Sequence, residues 1–157
     1  MATDSLRSYF KNQQTPPQWG AVLRAMSVEM ATQAEAQDLR DLFFRVGERF
    51  AADMEVSFQN VQTLSELETN LNDFWAGINW GWVTLVEAQD SIDISHQCAP
   101  LAAAFGDEAL PWSVGVLEGF YQTLFTWLGG GDEMRVSCVG ESPDGMDIFL
   151  RFGRKKK

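Results

Sequence analysis

Apolar positions recur at intervals of three and four through the first half of this chain, and the period then switches to two in two places. From 20 to 36, Val22, Leu23, Met26 and Met30 share one side of a predicted helix. From 38 to 56, Leu39, Leu42, Phe43, Val46, Phe50 and Met54 form a second apolar stripe, with Asp38 as its N-cap. The cleanest seam runs from 64 to 79, through Leu64, Leu67, Leu71, Phe74 and Ile78, with Ser65 and Glu68 as a capping box. Alternation follows: Trp80, Trp82, Thr84 and Val86 are expected on one side of a strand, and Gly81, Val83 and Leu85 on the other. Ile92 and Ile94 mark its partner after a turn at Gln89, Asp90 and Ser91.

Residues 97–110 read as a loop with a helical turn at Leu101–Phe105. Pro111 and Trp112 open a further helix along Val114, Leu117, Tyr121, Leu124 and Leu128, and Gly129, Gly130 and Gly131 end it. A second hairpin closes the chain. Met134, Val136 and Cys138 lie on its first strand, Met146, Ile148, Leu150 and Phe152 on its second, and Ser142, Pro143, Asp144 and Gly145 make the turn. Ahead of all this, residues 1–19 form an arm in which Pro16 and Pro17 favour an extended segment. The order predicts an α+β fold: N-terminal helices, then an antiparallel sheet of two hairpins separated by a helix, in one domain over 20–157.

Composition narrows the possible partners. The formal net charge is -10 over 157 residues, which disfavours nucleic acid; the basic run Arg154–Lys157 reads as a solvated tail. Two cysteines do not make a disulfide framework. The first residues lack a basic segment followed by an apolar one, and the most apolar window, Trp112 to Leu128, is too short for a span. The expected location is cytoplasmic.

Catalytic chemistry is hard to place. There is no nucleophile elbow, no Walker loop and no dinucleotide fingerprint. His96 and Cys98 are ligands of a type zinc accepts, and Cys138 could be a third, but nothing supplies a fourth. The expected reading is a surface histidine with two buried thiols, and no cofactor or metal. Gly115 and Gly119 strip one helical face to backbone, either for a subunit contact or for tight packing within the chain. Six tryptophans is a high count. Trp75 and Trp80 adjoin the helix seam, whereas Trp19 lies in the arm, open to a partner or polymer.

Two motifs carry a resemblance. Ala76-Gly77-Ile78-Asn79-Trp80-Gly81-Trp82-Val83-Thr84-Leu85 and Trp112-Ser113-Val114-Gly115-Val116-Leu117-Glu118-Gly119-Phe120-Tyr121 resemble the D-subunit family of bacterial cellulose synthase complexes. The resemblance implies a non-catalytic accessory component forming a homo-octamer, a tetramer of dimers, that assists export and alignment of β-1,4-glucan. It implies partners among the synthase subunits and operon-encoded accessory proteins at the inner membrane; a role in export invites a periplasmic location, the alternative, while the first residues, without a secretory signal, favour the cytoplasmic side. Tyr9, Phe10 and Trp19 are the candidates for a glucan passage. Trp80, Trp82, Gly115, Glu118 and Gly119 are the candidates for subunit interfaces. A fainter likeness, carried by Arg45-Val46-Gly47-Glu48-Arg49 and the terminal hairpin with Cys138, is to four-vinyl-reductase-type small-molecule binding domains. It implies a sensor with an enclosed apolar pocket as the alternative function.

Overall fold

The computed structural model describes residues 2–54 and 58–155. Helices α1 (Ala2–Gln13), α2 (Pro17–Gln33), α3 (Ala36–Ala52) and α4 (Leu64–Gly77) precede the hairpin of β1 (Trp82–Glu87) and β2 (Ile92–Gln97). Then come α5 (Leu101–Phe105), a 3-10 turn at Asp107–Ala109, α6 (Leu110–Ser113) and α7 (Gly115–Trp127), and the chain ends in β3 (Met134–Glu141) and β4 (Ile148–Arg154). The four strands form one antiparallel sheet in the order β1-β2-β4-β3. The expected α+β architecture is therefore present, and the two hairpins join through β2 and β4.

One face of the sheet is covered. Val83, Leu85, Ile94, Val136, Ile148, Leu150 and Phe152 are buried on it, beneath α4 and α7, with Leu67, Leu71, Trp75, Leu117, Phe120, Tyr121 and Leu124 completing the core. α3 packs on α7 from outside. A Cβ on Gly47 would come within 2.1 Å of the Val116 carbonyl oxygen, on Gly115 within 2.5 Å of that of Arg40, and on Gly119 within 2.0 Å of that of Phe44. Missing side chains on both helices let the backbones touch, which repays the helix-propensity cost of glycine.

Both sheet edges are closed by helix side chains. On β1, the Val83 N–H donates to Asn72 Oδ1 (2.7 Å), Asn72 Nδ2 donates to the Val83 carbonyl (3.0 Å), and the Leu85 N–H donates to Glu68 Oε2 (2.8 Å). On β3, the Val136 N–H donates to Gln122 Oε1 (2.8 Å), Gln122 Nε2 donates to the Met134 carbonyl (3.3 Å), and the Cys138 N–H donates to Glu118 Oε2 (2.9 Å). An open edge would offer unpaired backbone groups to another strand; here amides and carboxylates occupy them.

Several local expectations are corrected. The arm is helical, not extended: α1 takes up Ala2–Gln13, and Pro17 opens α2, three residues ahead of the expected start. Only Leu23 and Met30 of the four expected residues face inward on α2; Val22 and Met26 are exposed. On α3, Leu39 and Phe43 are buried while Leu42 and Val46 face outward, and Glu35 rather than Asp38 is the N-cap. The end expected for that helix, residues 55 and 56, lies outside the described residues. The cap of α4 is Thr63, whose Oγ1 accepts from the Glu66 N–H, with Glu66 accepting in turn from the Gln62 N–H. Ser65 and Glu68 make no capping box, and Glu68 serves β1 instead. Met146 precedes β4 and is buried beneath the turn rather than paired in it.

Candidate functional site

The two sequence motifs meet at one buried histidine. α4 ends with the Asn79 N–H donating to the Ala76 carbonyl and the Trp80 N–H to the Trp75 carbonyl, and Asn79 takes a left-handed φ of 59°. Gly81 follows at φ 75°, where a Cβ would come 1.8 Å from the Gln97 carbonyl oxygen, so only glycine fits. This double reversal sends Trp80 inward, stacked on Trp75 at 5.5 Å and edge-on to Phe50, while Trp82 lies 48% exposed on the sheet. Trp80 and Trp82 therefore do not share a face, contrary to the simple alternation.

His96 is fully buried, not a surface residue. Its Nε2 lies 2.7 Å from the Trp80 carbonyl and its Nδ1 2.7 Å from the Tyr121 hydroxyl. The carbonyl can only accept, so Nε2 carries the proton and the Tyr121 hydroxyl donates to Nδ1. Burial depresses its pKa from 6.5 to about 4, against the raising effect of the Trp80 carbonyl. A histidine using both ring nitrogens in this way has no lone pair left for a metal. Cys98 and Cys138 are half-buried rather than buried, and desolvation still pushes both thiols up, away from the thiolate form a metal needs. Among the described residues, no group of three or more His, Cys, Asp or Glu is arranged to hold a metal ion.

The second motif is taken up by the same chain. Gly115 and Gly119 face α3, as described, so the intrachain alternative is the one the backbone fills. Glu118 is buried and receives a bidentate pair from Arg40, Nε to Oε1 and Nη2 to Oε2, both 2.8 Å, besides the Cys138 N–H. The carboxylate thus ties α3, α7 and β3 together, with the Arg40 guanidinium raised in pKa chiefly by that hydrogen bond.

The candidates for a glucan passage lie exposed on the arm. Tyr9, Phe10 and Trp19 are 60%, 52% and 56% exposed. The arrangement of α1 is inverted for an amphipathic helix: its polar stripe faces the domain and its apolar residues Leu6, Tyr9 and Phe10 face out. Arg7 Nε donates to Asp144 Oδ2 (2.6 Å), and Nη2 to Asp144 Oδ1 (3.0 Å) and Asp147 Oδ2 (3.1 Å). Lys11 Nζ reaches Asp107 Oδ1 (2.8 Å) and the Asp144 carbonyl (2.9 Å), and the Gln14 amide donates to the Cys98 carbonyl. The Arg7 hydrogen bonds hold the Asp144 carboxyl well below the usual carboxylate range. Sequence pattern alone does not single out Arg7, Lys11 and Gln14; their spacing of four and three is a helical stripe, but a polar stripe ordinarily reads as the solvated side.

Among the described residues no helix is long and apolar enough to cross a membrane. A family model for the D-subunit of cellulose synthase matches residues 5–153. Two proteins named cellulose synthase operon protein D, from Komagataeibacter xylinus and Komagataeibacter sucrofermentans, are each 33% identical over 112 residues, 70% of this chain and 70% of theirs. Among solved structures, an Fe(II) unliganded H-NOX protein mutant from K. algicida superposes with a TM-score of 0.44 at 12% identity. That match covers 75% of this chain and 64% of the other, less than two thirds of it, and carries no argument about function.

Proposed function

The chain belongs to the cellulose synthase D-subunit family, and from that premise we propose that it is a non-catalytic accessory component that assembles as a homo-octameric ring, a tetramer of dimers, and assists export, alignment and crystallisation of β-1,4-glucan. Family membership over residues 5–153 is the observation that carries this reading. Its partners are then the synthase subunits, the operon-encoded accessory proteins and the glucan itself, on the cytoplasmic side of the inner membrane.

Two features of the fold support assembly. The accessible surface is 9435 Å² for a chain of 17.6 kDa. A globular monomer of that mass exposes about 7,900 Å², so the excess, about 1,500 Å², is roughly twice what one partner contributes to a standard-sized interface. Trp19, Val22 and Met26 on α2, and Leu42 and Val46 on α3, are exposed apolar residues of the kind subunit contacts bury. The acidic net charge is no obstacle to a neutral polymer.

The test is deletion of the gene in a cellulose-producing host, with polymerisation and product order measured separately. The expected result is lower yield or crystallinity while isolated membranes still polymerise glucan. Complete loss of polymerisation in those membranes would overturn an accessory role.

A further inference from the structure

Opposite the helices, the sheet turns a mixed aromatic and hydroxyl face to solvent. Trp82, Thr84 and Val86 of β1 point away from the helices, and the register places Gln97 beside Trp82 and Ser95 beside Thr84. Across the next strand Ser95 pairs with Phe149, and Asp93 pairs with Arg151. Trp82 is 48% and Phe149 36% exposed. They lie two strand spacings apart across the sheet and two residues apart along it, a diagonal of about 12 Å on an ideal sheet. Hydroxyls and an amide fill the intervening positions.

We propose that this face, with Trp82 and Phe149 as stacking platforms, is a binding track for an extended β-1,4-glucan chain. The inference rests on the glucan reading above and adds a contact surface beyond the arm. A pyranose ring offers an apolar face of axial C–H groups and a rim of equatorial hydroxyls. The first matches an exposed aromatic ring, and the second matches Ser95, Thr84 and Gln97, which both donate and accept. On a chain of net charge -10, the charged residues of β1, β2 and β4 in the rows from Trp82 to Val86 are Asp93 and Arg151, paired at 2.9 Å; beyond them on the edge strand β3 the same rows carry the exposed Glu141. Two platforms so far apart require a ligand longer than one sugar. The face is also continuous with the arm, because Arg7 of α1 is fastened to Asp147, next to the start of β4, and Gln14, just past the end of α1, to the Cys98 carbonyl, next to the end of β2.

The experiment uses the full chain, with cellohexaose titrated against tryptophan fluorescence and retention measured on acid-swollen cellulose. Trp82→Ala and Phe149→Ala should each weaken binding roughly three- to tenfold. Ser95→Arg, which blocks the track without removing a platform, should weaken it as well. Each variant should keep the wild-type circular dichroism and light-scattering mass. Full retention by all three variants, with loss in Tyr9→Ala/Phe10→Ala, would overturn the track and leave the arm as the glucan contact. A fallen mass in Trp82→Ala with glucan retention intact would make this face a contact for a second copy and overturn the track. Absence of any binding by the wild-type chain would overturn both the track and the glucan contact on which it rests.

Discussion

His96 carries the clearest pH signature of any single residue. Its pKa is 6.5 when unfolded and about 4 in the fold, because burial disfavours the imidazolium. Protons therefore bind preferentially to the unfolded chain between those values. The stabilisation is complete above pH 6.5 and is lost as the pH falls toward 4, to a total of roughly 3 kcal/mol. Urea midpoints measured at pH 7.5, 6 and 5 should fall accordingly. His96→Gln cannot titrate there, so its midpoint should change less over that range, although it starts lower because it remakes the hydrogen bonds to Tyr121 and Trp80 imperfectly. Equal slopes for the two proteins would show that other groups carry the pH dependence.

At the scale of elements, the fold depends on helices reaching strands and on one glycine seam. Asn72 serves both backbone groups of Val83. Asn72→Ala should cost about 1–3 kcal/mol and speed hydrogen exchange at the Val83 amide, while the Val136 amide, held by Gln122, keeps its protection. Gly119→Ala should be more severe, above about 2 kcal/mol by thermal melting, since the Cβ lands on the backbone of Phe44, which cannot swing aside. Much at this scale was legible in the sequence. The seam through Leu67 and Leu71, the hairpin partners, the turn at Gly145 and the helix at 101–105 follow from period and turn chemistry, which are local. What was not legible is non-local. Alternation places Trp80 with Trp82, and only the left-handed conformations at Asn79 and Gly81 separate them. His96 reads as a surface residue until Trp80 and Tyr121, sixteen and twenty-five positions away, are brought to its two nitrogens. Nor does any spacing announce Asn72, Gln122 or Glu118 as edge partners, because a polar residue on a helix looks the same whether water or a strand satisfies it.

At the scale of the whole molecule, the arm is the part whose place in the monomer is least explained by burial. No residue of α1 is buried, and it is held by ion pairs and hydrogen bonds from Arg7, Lys11 and Gln14. Partly exposed polar tethers contribute little to stability, whereas the core formed by α3, α4, α7 and the sheet contains nothing from α1. An apolar outer stripe on a helix so weakly fastened makes sense if the stripe itself is covered in the assembled protein. Removal of residues 2–15 should therefore leave the melting temperature near that of the intact chain while lowering the light-scattering mass below that of the intact chain's assembly. Arg7→Ala should act in the same direction but less completely, because Lys11 and Gln14 still hold the helix; its first sign should be faster proteolysis between 13 and 17. A truncated chain that melts far below the intact one would instead make α1 part of the fold. One that keeps the full mass would leave α2 and α3 alone to supply the subunit contacts, through the exposed Val22, Met26, Leu42 and Val46.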